Sequence, residues 1–437
     1  MDRTMDRILA RTARIGVIGQ GYVGLPLALL FAENMMTVVG FDTDVAKVAR
    51  LNRGESFIRH IGDERVAAAV GSGNYRATSD FDLLAGCDAV LICVPTPLGR
   101  HREPDNSFIH ATGREIAARL RPGQLVVLES TTYPGTTRDE LRPILEESGL
   151  VCGRDFYLAF SPEREDPGRS DFTTRTIPKV VGGLDDRSTA LAVALYSTAV
   201  TKVVQVSSAA VAESAKLLEN IFRSVNIALV NELKTVFDPM GIDVWEVIDA
   251  AKTKPFGYMP FYPGPGLGGH CIPLDPFFLA WKAAEHGRWA RFIELAGEVN
   301  ASRPEWVVAK TASALNEDGK AVRGARILIM GLAYKPNVDD DRESPSYELI
   351  SEFSRRGARV DYCDPHLAAM TRSRKWDFAM TSVALDNGVL RAYDAVVVAT
   401  AHDDFVSPQL YDDVPIVVDT RNIVRRGRPG PRMLVRA

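Results

Sequence analysis

The first part of the chain alternates between short apolar runs and stretches with helical spacing. RIGVIG at 14–19 is an apolar run that ends in glycine, a helical pattern follows from Leu25 to about Asn34, and TVVGFD at 37–42 is a second apolar run. This order predicts a β-α-β unit. Further buried strands are predicted at 88–95, 124–131, 156–162 and 179–183. Strands that alternate with helices predict a parallel sheet, so residues 1–205 are interpreted as one α/β domain.

The pattern then changes to a long stretch of helical spacing that ends at Gly241. Ser207 or Ser208 is the expected N-cap of this helix, and shorter helices are expected to follow up to about Glu317. The stretch is too long for an ordinary crossover between strands, so residues 206–318 are interpreted as a central helical domain. Because a long helix with an apolar face often packs against a copy of itself, we expect a homodimer through the central helices.

A second α/β pattern begins at 324–335, with a strand that leads into glycine. Further strands are predicted at 359–365, 393–400 and 415–421. Residues 319–437 are therefore interpreted as a third domain, and the Arg-, Gly- and Pro-rich residues after Asn422 as a partly ordered end. The predicted fold class is α/β, with two α/β domains joined by a central helical domain that contains a long helix.

Composition and charge exclude several classes of function. The chain has 437 residues with 52 Lys and Arg against 56 Asp and Glu, and the net charge of -4 gives no basic excess for nucleic-acid binding. No apolar run reaches the roughly 18–20 residues that cross a bilayer, and the basic N-terminus is interpreted as a short polar extension rather than a signal peptide. Five widely spaced cysteines without a CxxC pair argue against a disulfide framework and against a zinc site. They indicate a reducing, cytoplasmic setting.

The GQGYVG segment at 19–24 has the GxGxxG spacing between a predicted strand and a predicted helix. In that context Gly19 makes a tight turn, Gly21 lets the backbone approach a pyrophosphate, and Gly24 permits close helix–strand packing. The helix N-terminus adds partial positive charge. Asp42, at the end of the next strand, can accept hydrogen bonds from ribose hydroxyls and would repel a 2′-phosphate, which favours NAD over NADP. The alternative is a purely structural βα turn.

Two more segments follow predicted strands, at the sheet edge where ligands of open α/β sheets bind. They are CVPTP at 93–97 and ESTTYPGTT at 129–137. Each has the composition of a functional loop, but each is equally consistent with a turn rich in Pro and Thr.

The segment FYPGPGLGGHCIPLDP at 261–276 is the most informative in the chain. Its four glycines let the backbone bend tightly and approach a ligand closely. Cys271 follows them and can be a nucleophile if its pKa is lowered, whereas the alternative is a small buried apolar residue. If a helical turn begins after this cysteine, Cys271 and Asp275 share a face. His270 is discounted as a partner because adjacent side chains usually point apart.

Charged and amide side chains elsewhere are further candidates. Lys216 and Asn220 are four residues apart in the long predicted helix and can hold a developing oxyanion together, unless the lysine simply lies on a solvated face. Lys335, Arg342 and Arg421 flank predicted strand ends and have the chemistry of phosphate contacts. The alternative is a salt bridge to the acidic run at 339–341, which is more credible for Arg342 than for Arg421.

These segments together resemble the UDP-glucose/GDP-mannose dehydrogenase family of nucleotide-sugar dehydrogenases. The match runs in order through nearly the whole chain: GQGYVGLPLA, FD, CVPTP, EST, SPE, AExxKLLEN, GLGGHCIPLDP, GLAYKPNVDDDRESP and DTRN. The resemblance implies a Rossmann-like NAD-binding domain, a helical dimerisation domain and a second Rossmann-like domain that binds the nucleotide sugar. It also implies a four-electron oxidation of a sugar C6 alcohol to a carboxylate, with two NAD per turnover.

The resemblance implies a role for each member of a catalytic set. These residues are Cys271, Lys216, Asn220, Asp275, Glu163 and Thr131. The cysteine would capture the C6 aldehyde as a thiohemiacetal, which a second hydride transfer converts to a thioester that water hydrolyses. The lysine and the asparagine would stabilise the oxyanion, and the aspartate would work with the lysine in proton transfer. The glutamate and the threonine would position or activate water.

The resemblance also implies contacts with the two ligands. The implied cofactor contacts are Gly19, Gly21, Tyr22, Val23, Gly24, Asp42, Lys47, Pro95, Thr96, Thr131 and Arg342. The implied sugar-nucleotide contacts are Glu163, Arg164, Lys216, Asn220, Phe261, Tyr262, Gly266, Gly268, Lys335 and Arg421.

Departures from the UDP-glucose pattern indicate a different sugar. UDP-glucose enzymes commonly carry a second glutamate four residues after that of SPE, which is Pro167 here, and a lysine three residues after the cysteine, which is Leu274 here. The strings SPEREDPG and PFYPGPGLGGHCIP resemble the subgroup that oxidises UDP-N-acetylhexosamines, particularly UDP-N-acetylglucosamine. UDP-glucose 6-dehydrogenase is the first alternative, followed by UDP-N-acetylmannosamine and GDP-mannose dehydrogenases.

Two alternatives belong to other classes of function. A two-electron dehydrogenase of small hydroxy acids would need neither Cys271 nor a third α/β domain. A nucleotide-sugar sensor without catalysis would be expected to have lost at least one member of the catalytic set, which is intact here.

Overall fold

The computed structural model describes residues 3–58, 61–99, 103–165, 173–269, 272–370, 375–424 and 429–437. The chain divides into two compact units. The first unit consists of Met1–Glu219 and Phe277–Arg288, and the second of Asn220–Pro276 and Trp289–Ala437. The three-domain boundaries expected from the sequence stay a prediction.

Helices and strands alternate along most of the chain. The helices are α1 (Arg3–Leu9), α2 (Gly24–Glu33), α3 (Val45–Asn52), α4 (Asp63–Gly71), α5 (Ser107–Ala117), α6 (Arg142–Glu146), α7 (Asp186–Ser197), α8 (Ala209–Phe237), α9 (Val244–Ala251), α10 (Asp275–Glu285), α11 (Arg291–Ala301), α12 (Arg303–Glu317), α13 (Pro345–Arg355) and α14 (Asn387–Leu390). The strands are β1 (Arg14–Ile18), β2 (Thr37–Phe41), β3 (Tyr75–Thr78), β4 (Ala89–Ile92), β5 (Leu125–Leu128), β6 (Tyr157–Phe160), β7 (Lys179–Gly183), β8 (Val203–Gln205), β9 (Arg326–Met330), β10 (Arg359–Cys363), β11 (Ala395–Val398), β12 (Ile416–Asp419) and β13 (Met433–Arg436). Among these helices, none is long and apolar enough to cross a bilayer within the described ranges.

The first unit is built on an eight-stranded sheet with the order β3-β2-β1-β4-β5-β6-β7-β8. The pair β6–β7 is antiparallel, with Phe160 opposite Gly182, while the other neighbouring pairs are parallel. The expectation of a wholly parallel sheet is therefore wrong at this point. A parallel return needs a crossover, usually a helix, and the described residues between β6 and β7 contain no helix.

Strands of the first sheet are covered on both faces, as expected for strands that read as continuous apolar runs. Along β1, Ile15 and Val17 belong to one apolar cluster, which includes most of α2, whereas Ile18 belongs to the cluster on the opposite face. Successive side chains of a strand point to opposite faces, so each apolar strand contributes side chains to two hydrophobic cores. The carboxyl ends of the strands are left to carry loops.

The second unit contains a five-stranded sheet with the order β10-β9-β11-β12-β13, and all of its strand pairs are parallel. Along β9, Ile327 and Ile329 pack in one apolar cluster, while Leu328 and Met330 pack in the other. This sheet is likewise covered on both faces.

The long helix α8 begins and ends at the signals that the sequence provides. The Ser208 hydroxyl accepts a hydrogen bond from the Val211 backbone N–H at 3.3 Å, which caps the helix start. After α8 a short 3-10 turn ends at Gly241, whose φ of +70° is left-handed. The predicted N-cap at Ser208 and the stop at Gly241 are therefore confirmed.

Three local features were not predicted from the sequence. The N-terminal extension forms α1, where Arg7 pairs with Asp88 at 2.9 Å. Within the end that was expected to be partly ordered, β13 adds a parallel edge strand next to β12. The strands β3 and β8 were not expected at all, because each is only three or four residues long and partly polar.

Removing the guanidinium of Arg436 tests the edge strand β13. Arg436 pairs with the fully buried Asp419 and donates to the Val424 carbonyl at 2.6 Å. We expect Arg436→Met to lower the free energy of unfolding by about 3 kcal/mol, because it leaves a buried carboxylate without its partner. Urea unfolding followed by circular dichroism measures the change. Exposed Arg432→Met is the matched control, and an equally small effect of both variants would show that β13 contributes little.

Candidate functional site

The tight loop after β1 depends on its glycines. Gly19 has a φ of +89°, and a Cβ there would lie 2.4 Å from the Cys93 carbonyl oxygen. A Cβ at Gly24 would lie 1.8 Å from the Gly19 carbonyl oxygen, whereas one at Gly21 would meet nothing within 4 Å. Gly19 and Gly24 are thus required by packing, and Gly21 keeps the space above the loop open at the start of α2. Tyr22 and Val23 are half-buried and pack on the core under this loop.

Gln20 fixes the same loop from beneath. Its side chain is fully buried, donates to the Val17 carbonyl at 2.8 Å and accepts from the Tyr75 hydroxyl at 2.8 Å. A Cβ at Gly40 would lie 2.5 Å from the Gln20 side-chain oxygen, so β2 needs glycine at that position. Neither Gln20 nor Tyr75 was predicted, because the residue type at the second position of GxGxxG carries no general signal.

Asp42 lies where the sequence analysis places it, immediately after β2. One carboxylate oxygen accepts from the Gln20 backbone N–H at 3.0 Å and from Lys47 Nζ at 3.1 Å, and the other accepts from the Asp44 backbone N–H at 3.0 Å. Lys47 also lies over the Phe57 ring, 5.1 Å from its centroid. The loop, the carboxylate and the lysine are therefore held as one hydrogen-bonded group beside the open space at Gly21.

The other predicted loops of the first unit follow β4 and β5 at the carboxyl edge of the sheet. Pro95 is exposed, Thr96 is buried and Thr131 is half-buried. The Ser130 hydroxyl donates to the Val94 carbonyl at 2.7 Å, which ties the two loops together. These residues have the placement expected for ligand contacts in an open α/β sheet.

A buried ion cluster lies at the same edge. Lys179 Nζ contacts a carboxylate oxygen of Glu129 at 2.6 Å and one of Glu163 at 3.3 Å, and Tyr196 donates its hydroxyl proton to Glu129. The side chains of Lys179 and Glu129 are 4% and 0% exposed. Burial opposes the ammonium charge, but the two carboxylates outweigh burial and raise the pKa of Lys179. One ammonium therefore pairs with two carboxyl groups. Lys179 was not predicted as a site residue, because the segment KVVGG in which it lies looks like an ordinary buried strand.

The two carboxyl groups of this cluster differ in their pKa. Burial raises the pKa of Glu129 above its usual value despite Lys179. Burial acts on Glu163 as well, but Lys179 and the backbone N–H groups of Glu165 and Arg164 overcome it and lower its pKa. Glu163 accepts from both of those N–H groups at 2.7 Å. The predicted water-activating residue is therefore an oriented carboxylate that is ionised at neutral pH.

Arg164 follows in the same loop. It donates to the Pro178 carbonyl at 2.7 Å and pairs with Glu219 at 2.6 Å. Its guanidinium thus ties the loop after β6 to the residue before β7 and to α8.

In the second unit, Asn220 and Asp275 form a buried pair. Asn220 Nδ2 donates to Asp275 Oδ2 at 2.6 Å, and the two residues are 4% and 3% exposed. Lys216 precedes Asn220 by one turn of α8 and is 8% exposed, so the alternative of a solvated lysine is wrong. The helix α10 begins at Asp275 itself, and the shared face of Cys271 and Asp275 stays a prediction. His270 and Cys271 lie outside the described residues.

The glycine segment before these residues lies against its own unit. The Gly264 backbone N–H donates to Asn231 Oδ1 at 3.0 Å, and its carbonyl accepts from Arg303 Nε at 3.2 Å. A Cβ at Gly268 would lie 2.6 Å from Tyr334 Cβ, and the Gly269 N–H donates to the Arg342 carbonyl at 3.0 Å. The glycines are therefore needed for close approach to neighbouring chain as well as for bending.

The aromatic residues of that segment and Gly266 have distinct surroundings. Phe261 makes an edge contact with Phe222, with ring centroids 5.6 Å apart. Tyr262 is exposed and donates to Asp249 at 2.8 Å. Gly266 has a φ of +146°, and a Cβ there would lie 3.0 Å from Pro345.

Two arginines flank Gly264, of which Arg303 is buried and Arg421 is half-buried. Arg421 donates to the Ala399 carbonyl at 2.8 Å, and a Cβ at Gly264 would lie 2.4 Å from its guanidinium. Burial lowers the pKa of Arg421 to about 10 although Asp419 opposes the shift, and it lowers the pKa of Arg303 to about 10 although Asp238 opposes that shift. Cations that burial destabilises in this way favour an anionic ligand nearby. Arg303 was not predicted, since a lone arginine before a helix looks like a surface residue.

The remaining predicted cations lie in the loop after β9. Lys335 is half-buried. Arg342 pairs with Asp340 at 2.6 Å, which is the acidic-run salt bridge considered as the alternative. The cofactor contact expected for Arg342 stays a prediction.

Family models match three parts of the chain. The NAD binding domain of the UDP-glucose/GDP-mannose dehydrogenase family matches residues 13–200, its central domain matches residues 210–302, and its UDP binding domain matches residues 328–426.

Individual relatives cover nearly the whole chain. UDP-N-acetyl-D-glucosamine 6-dehydrogenase from Pseudomonas aeruginosa is 35% identical over 394 residues, which is 90% of this chain and 91% of that protein. UDP-N-acetyl-D-mannosamine dehydrogenase from Salmonella typhi is 36% identical over 428 residues, or 94% and 99% of the two chains. The solved UDP-D-ManNAc dehydrogenase from Pyrococcus horikoshii has a TM-score of 0.87 at 32% identity and covers 97% of this chain and 98% of its own.

Removing the Lys179 ammonium tests the buried cluster. We expect Lys179→Met to lower the free energy of unfolding by about 3–5 kcal/mol, because it leaves buried carboxylates without a cation. The exposed Lys202→Met is the control and should change stability by less than about 0.5 kcal/mol. Adding Glu129→Gln to Lys179→Met should recover part of the loss. Equal urea midpoints for the two lysine variants would contradict the assigned ion cluster.

Removing the Asp42 carboxylate tests its expected contact with the cofactor. We expect Asp42→Ala to raise the KM for NAD by about tenfold, the equivalent of one charged hydrogen bond of about 1.4 kcal/mol. The preference for NAD over NADP should fall at the same time, because a repelling charge is lost. Initial rates with each dinucleotide measure both effects, and the exposed Asp82→Ala is the control. An unchanged KM and an unchanged preference would exclude the ribose contact.

Proposed function

Because the chain belongs to the UDP-glucose/GDP-mannose dehydrogenase family, we propose that it oxidises the C6 alcohol of a UDP-sugar to the carboxylate in a four-electron reaction. The chain is an NAD-dependent nucleotide-sugar dehydrogenase at the level that its relatives share. The identity of the sugar and the covalent course of the reaction are the proposed parts.

The first unit has the shape and chemistry that NAD requires. The loop leaves open space above Gly21 at the N-terminus of α2, which suits a pyrophosphate, and Asp42 follows β2 as an acceptor for ribose hydroxyls. Lys47 lies beside this carboxylate. When bound, NAD supplies a hydride acceptor, and two molecules are used for each sugar.

The buried Asn220–Asp275 pair, one helical turn from Lys216, is the observation that carries the proposed chemistry. Asn220 and Lys216 supply N–H donors, and Asp275 holds the amide of Asn220 in one orientation. Donors that are fixed in advance stabilise an oxyanion without reorganisation, which is the requirement of a step that forms an alkoxide at C6. A solvent-exposed lysine and a mobile amide would not meet it.

The proposed steps use these groups in order. In the first oxidation the C6 hydroxyl loses its proton to a water held by Lys216 and Asp275 while hydride leaves C6. The Cys271 thiolate then adds to the aldehyde carbon, and Lys216 and Asn220 stabilise the resulting oxyanion of the thiohemiacetal. The covalent bond fixes the carbon for loss of its second hydride, which leaves a thioester on Cys271.

Hydrolysis then completes the proposed reaction. Glu163, ionised and oriented by Lys179, accepts a proton from water as that water attacks the thioester carbonyl. The carbon–sulfur bond breaks, the acid leaves and the thiolate of Cys271 returns. Thr131, at the end of β5, is proposed to orient the same water. The role of Cys271 itself rests on the resemblance of its segment to the family.

UDP-N-acetylglucosamine is the proposed substrate. Its support is Leu274, a half-buried apolar residue just before α10 where UDP-glucose enzymes commonly have a lysine. Pro167, the second departure, lies outside the described residues. Because similar relatives are named for UDP-N-acetyl-D-glucosamine and for UDP-N-acetyl-D-mannosamine, the mannosamine epimer is the second candidate.

We also propose the domain assignment and the setting that the sequence suggests. Residues 1–205 bind NAD, 206–318 carry the cysteine loop and the dimer contact, and 319–437 bind the nucleotide sugar, in keeping with the order of the family matches. Free thiols at Cys87, Cys93, Cys152 and Cys363 support a reducing, cytoplasmic setting.

A homodimer through α8 is proposed from its apolar stripe. The exposed side chains Val211, Leu218, Phe222, Leu229 and Val236 are spaced by seven or four residues, which places them on one face. Leu218 is 66% exposed and Leu229 is 50% exposed. A second copy of the same stripe would bury both, as the sequence analysis expects.

Counting NADH per mole of limiting sugar tests the reaction and the substrate together. We expect two NADH from UDP-N-acetylglucosamine and slower turnover of UDP-glucose. Cys271→Ala should lose acid formation by more than about a hundredfold, because the aldehyde is no longer held covalently. Cys152→Ala, a free thiol distant in sequence, is the matched control. A single NADH would rule out the four-electron course, and two NADH from UDP-glucose alone would overturn the substrate assignment.

Placing a charge in the stripe on α8 tests the dimer. We expect Leu229→Glu to convert the protein to a monomer in sedimentation equilibrium, because an unpaired carboxylate cannot be buried between apolar faces. The same change at Met35, an exposed apolar residue of the first unit at 68%, should leave the molecular mass unchanged. A dimeric Leu229→Glu protein, or a monomeric native one, would contradict the proposed interface.

A further inference from the structure

The segment 331–337, which follows β9 in the second unit, is held near its start by hydrogen bonds. Asp364 Oδ2 accepts from the backbone N–H groups of Leu332 at 2.7 Å and Ala333 at 2.9 Å. The Thr400 hydroxyl donates to the Ala333 carbonyl at 2.6 Å. Three hydrogen bonds thus fix two consecutive residues as the chain leaves the strand.

His402 holds the C-terminal end of the same segment through a hydrogen bond to Asn337. Its Nδ1 accepts from the Asn337 backbone N–H at 3.0 Å, and its Nε2 lies 3.2 Å from Asp364 Oδ2. Because Nδ1 must be an acceptor, the proton of the neutral ring is on Nε2 and is donated to Asp364. Both side chains are fully buried. Asn337 has a φ of +60°, and its side-chain oxygen accepts from the Asp403 N–H at 3.1 Å.

This segment carries Tyr334 and Lys335. Lys335 is the lysine expected to contact the nucleotide. Tyr334 lies under the glycine segment, since a Cβ at Gly269 would be 2.9 Å from its ring and one at Gly268 would be 2.6 Å from its Cβ. Any shift of residues 334–335 would therefore move an expected phosphate contact and the support of the segment that leads to Cys271.

We propose that His402 is a positioning residue for UDP binding, acting through the Asn337 end of the segment that carries Lys335. The inference rests on the proposed function, in that Lys335 contacts the nucleotide, and it adds a residue to which no role has been assigned. The segment lies within the match to the UDP binding domain at residues 328–426. Asp364 keeps its bonds to Leu332 and Ala333 without the imidazole, whereas the Asn337 N–H loses its acceptor.

The two half-isosteres of histidine separate this role from a merely structural one. In His402→Asn the side-chain oxygen can replace Nδ1 and still accept from Asn337, while in His402→Gln the amide nitrogen can replace Nε2 and reach only Asp364. Both remove the ring that packs edge-on against Phe405 at 5.1 Å, so both should cost similar stability. The neighbouring His366→Asn, whose ring centroid is 4.8 Å from that of His402, is the packing control.

Isothermal titration of the full-length protein with UDP measures the effect without depending on the sugar. We expect His402→Gln to raise the Kd for UDP by about tenfold, whereas His402→Asn and His366→Asn stay within about threefold of the native protein. The KM for NAD should not change in any variant, because it reports on the first unit. Urea unfolding gives the stability of each variant for comparison.

Each outcome decides the proposal. Equal Kd values in the two His402 variants, or losses that follow stability rather than the Asn337 bond, would overturn the role of His402 alone. If His402→Gln does not fold, Thr400→Val replaces it as the test, because it removes another hydrogen bond to the segment. We expect Thr400→Val to raise the Kd for UDP about threefold. An unchanged Kd would overturn the proposal. Failure of the native protein to bind UDP would instead contradict the proposed function.

Discussion

A single buried ammonium, that of Lys179, holds together the carboxyl edge of the first sheet. It contacts Glu129 after β5 and Glu163 after β6, and it does so because β7 runs antiparallel to β6. Since Phe160 lies opposite Gly182, continuing the register places Glu163 opposite Lys179. A parallel β7 would have placed the lysine at the far edge of the sheet. The antiparallel direction of β7 therefore brings a cation to the buried Glu129 and the half-buried Glu163, and it keeps the pKa of Glu163 low.

In the second unit, backbone contacts hold the glycine segment in place. This segment lies against Tyr334 and is held at Gly264 by Asn231 and Arg303, so side chains would collide where glycines are found. The buried Arg303 and the half-buried Arg421 lie around that point, and each has a lowered pKa, which marks a place where an anion would be favoured. Fixed donors, fixed backbone and buried cations are what a pyrophosphate and a developing oxyanion need.

Local sequence patterns predicted much of the fold and fewer of the contacts. Apolar runs located most strands within a few residues, and the glycine spacing located the tight loop after β1 with Asp42 beside it, because these signals act over short distances. The orientation of β7 and the strand β13 depend on long-range pairing that periodicity does not contain. The Asn220–Asp275 bond joins residues 55 apart, and Gln20, Lys179, Arg303 and His402 gain their meaning only from partners elsewhere in the chain.

In the proposed reaction, Cys271 holds the sugar as a thioester until water activated by Glu163 releases it. The most direct measurement is intact-protein and peptide mass spectrometry of Glu163→Gln, mixed with UDP-N-acetylglucosamine and NAD and quenched in acid within one turnover. We expect the peptide containing Cys271 to carry the acyl sugar nucleotide, and Cys271→Ala in the same background to carry none. An unmodified Cys271 peptide in Glu163→Gln despite NADH formation, or an adduct on another residue, would contradict the proposed reaction.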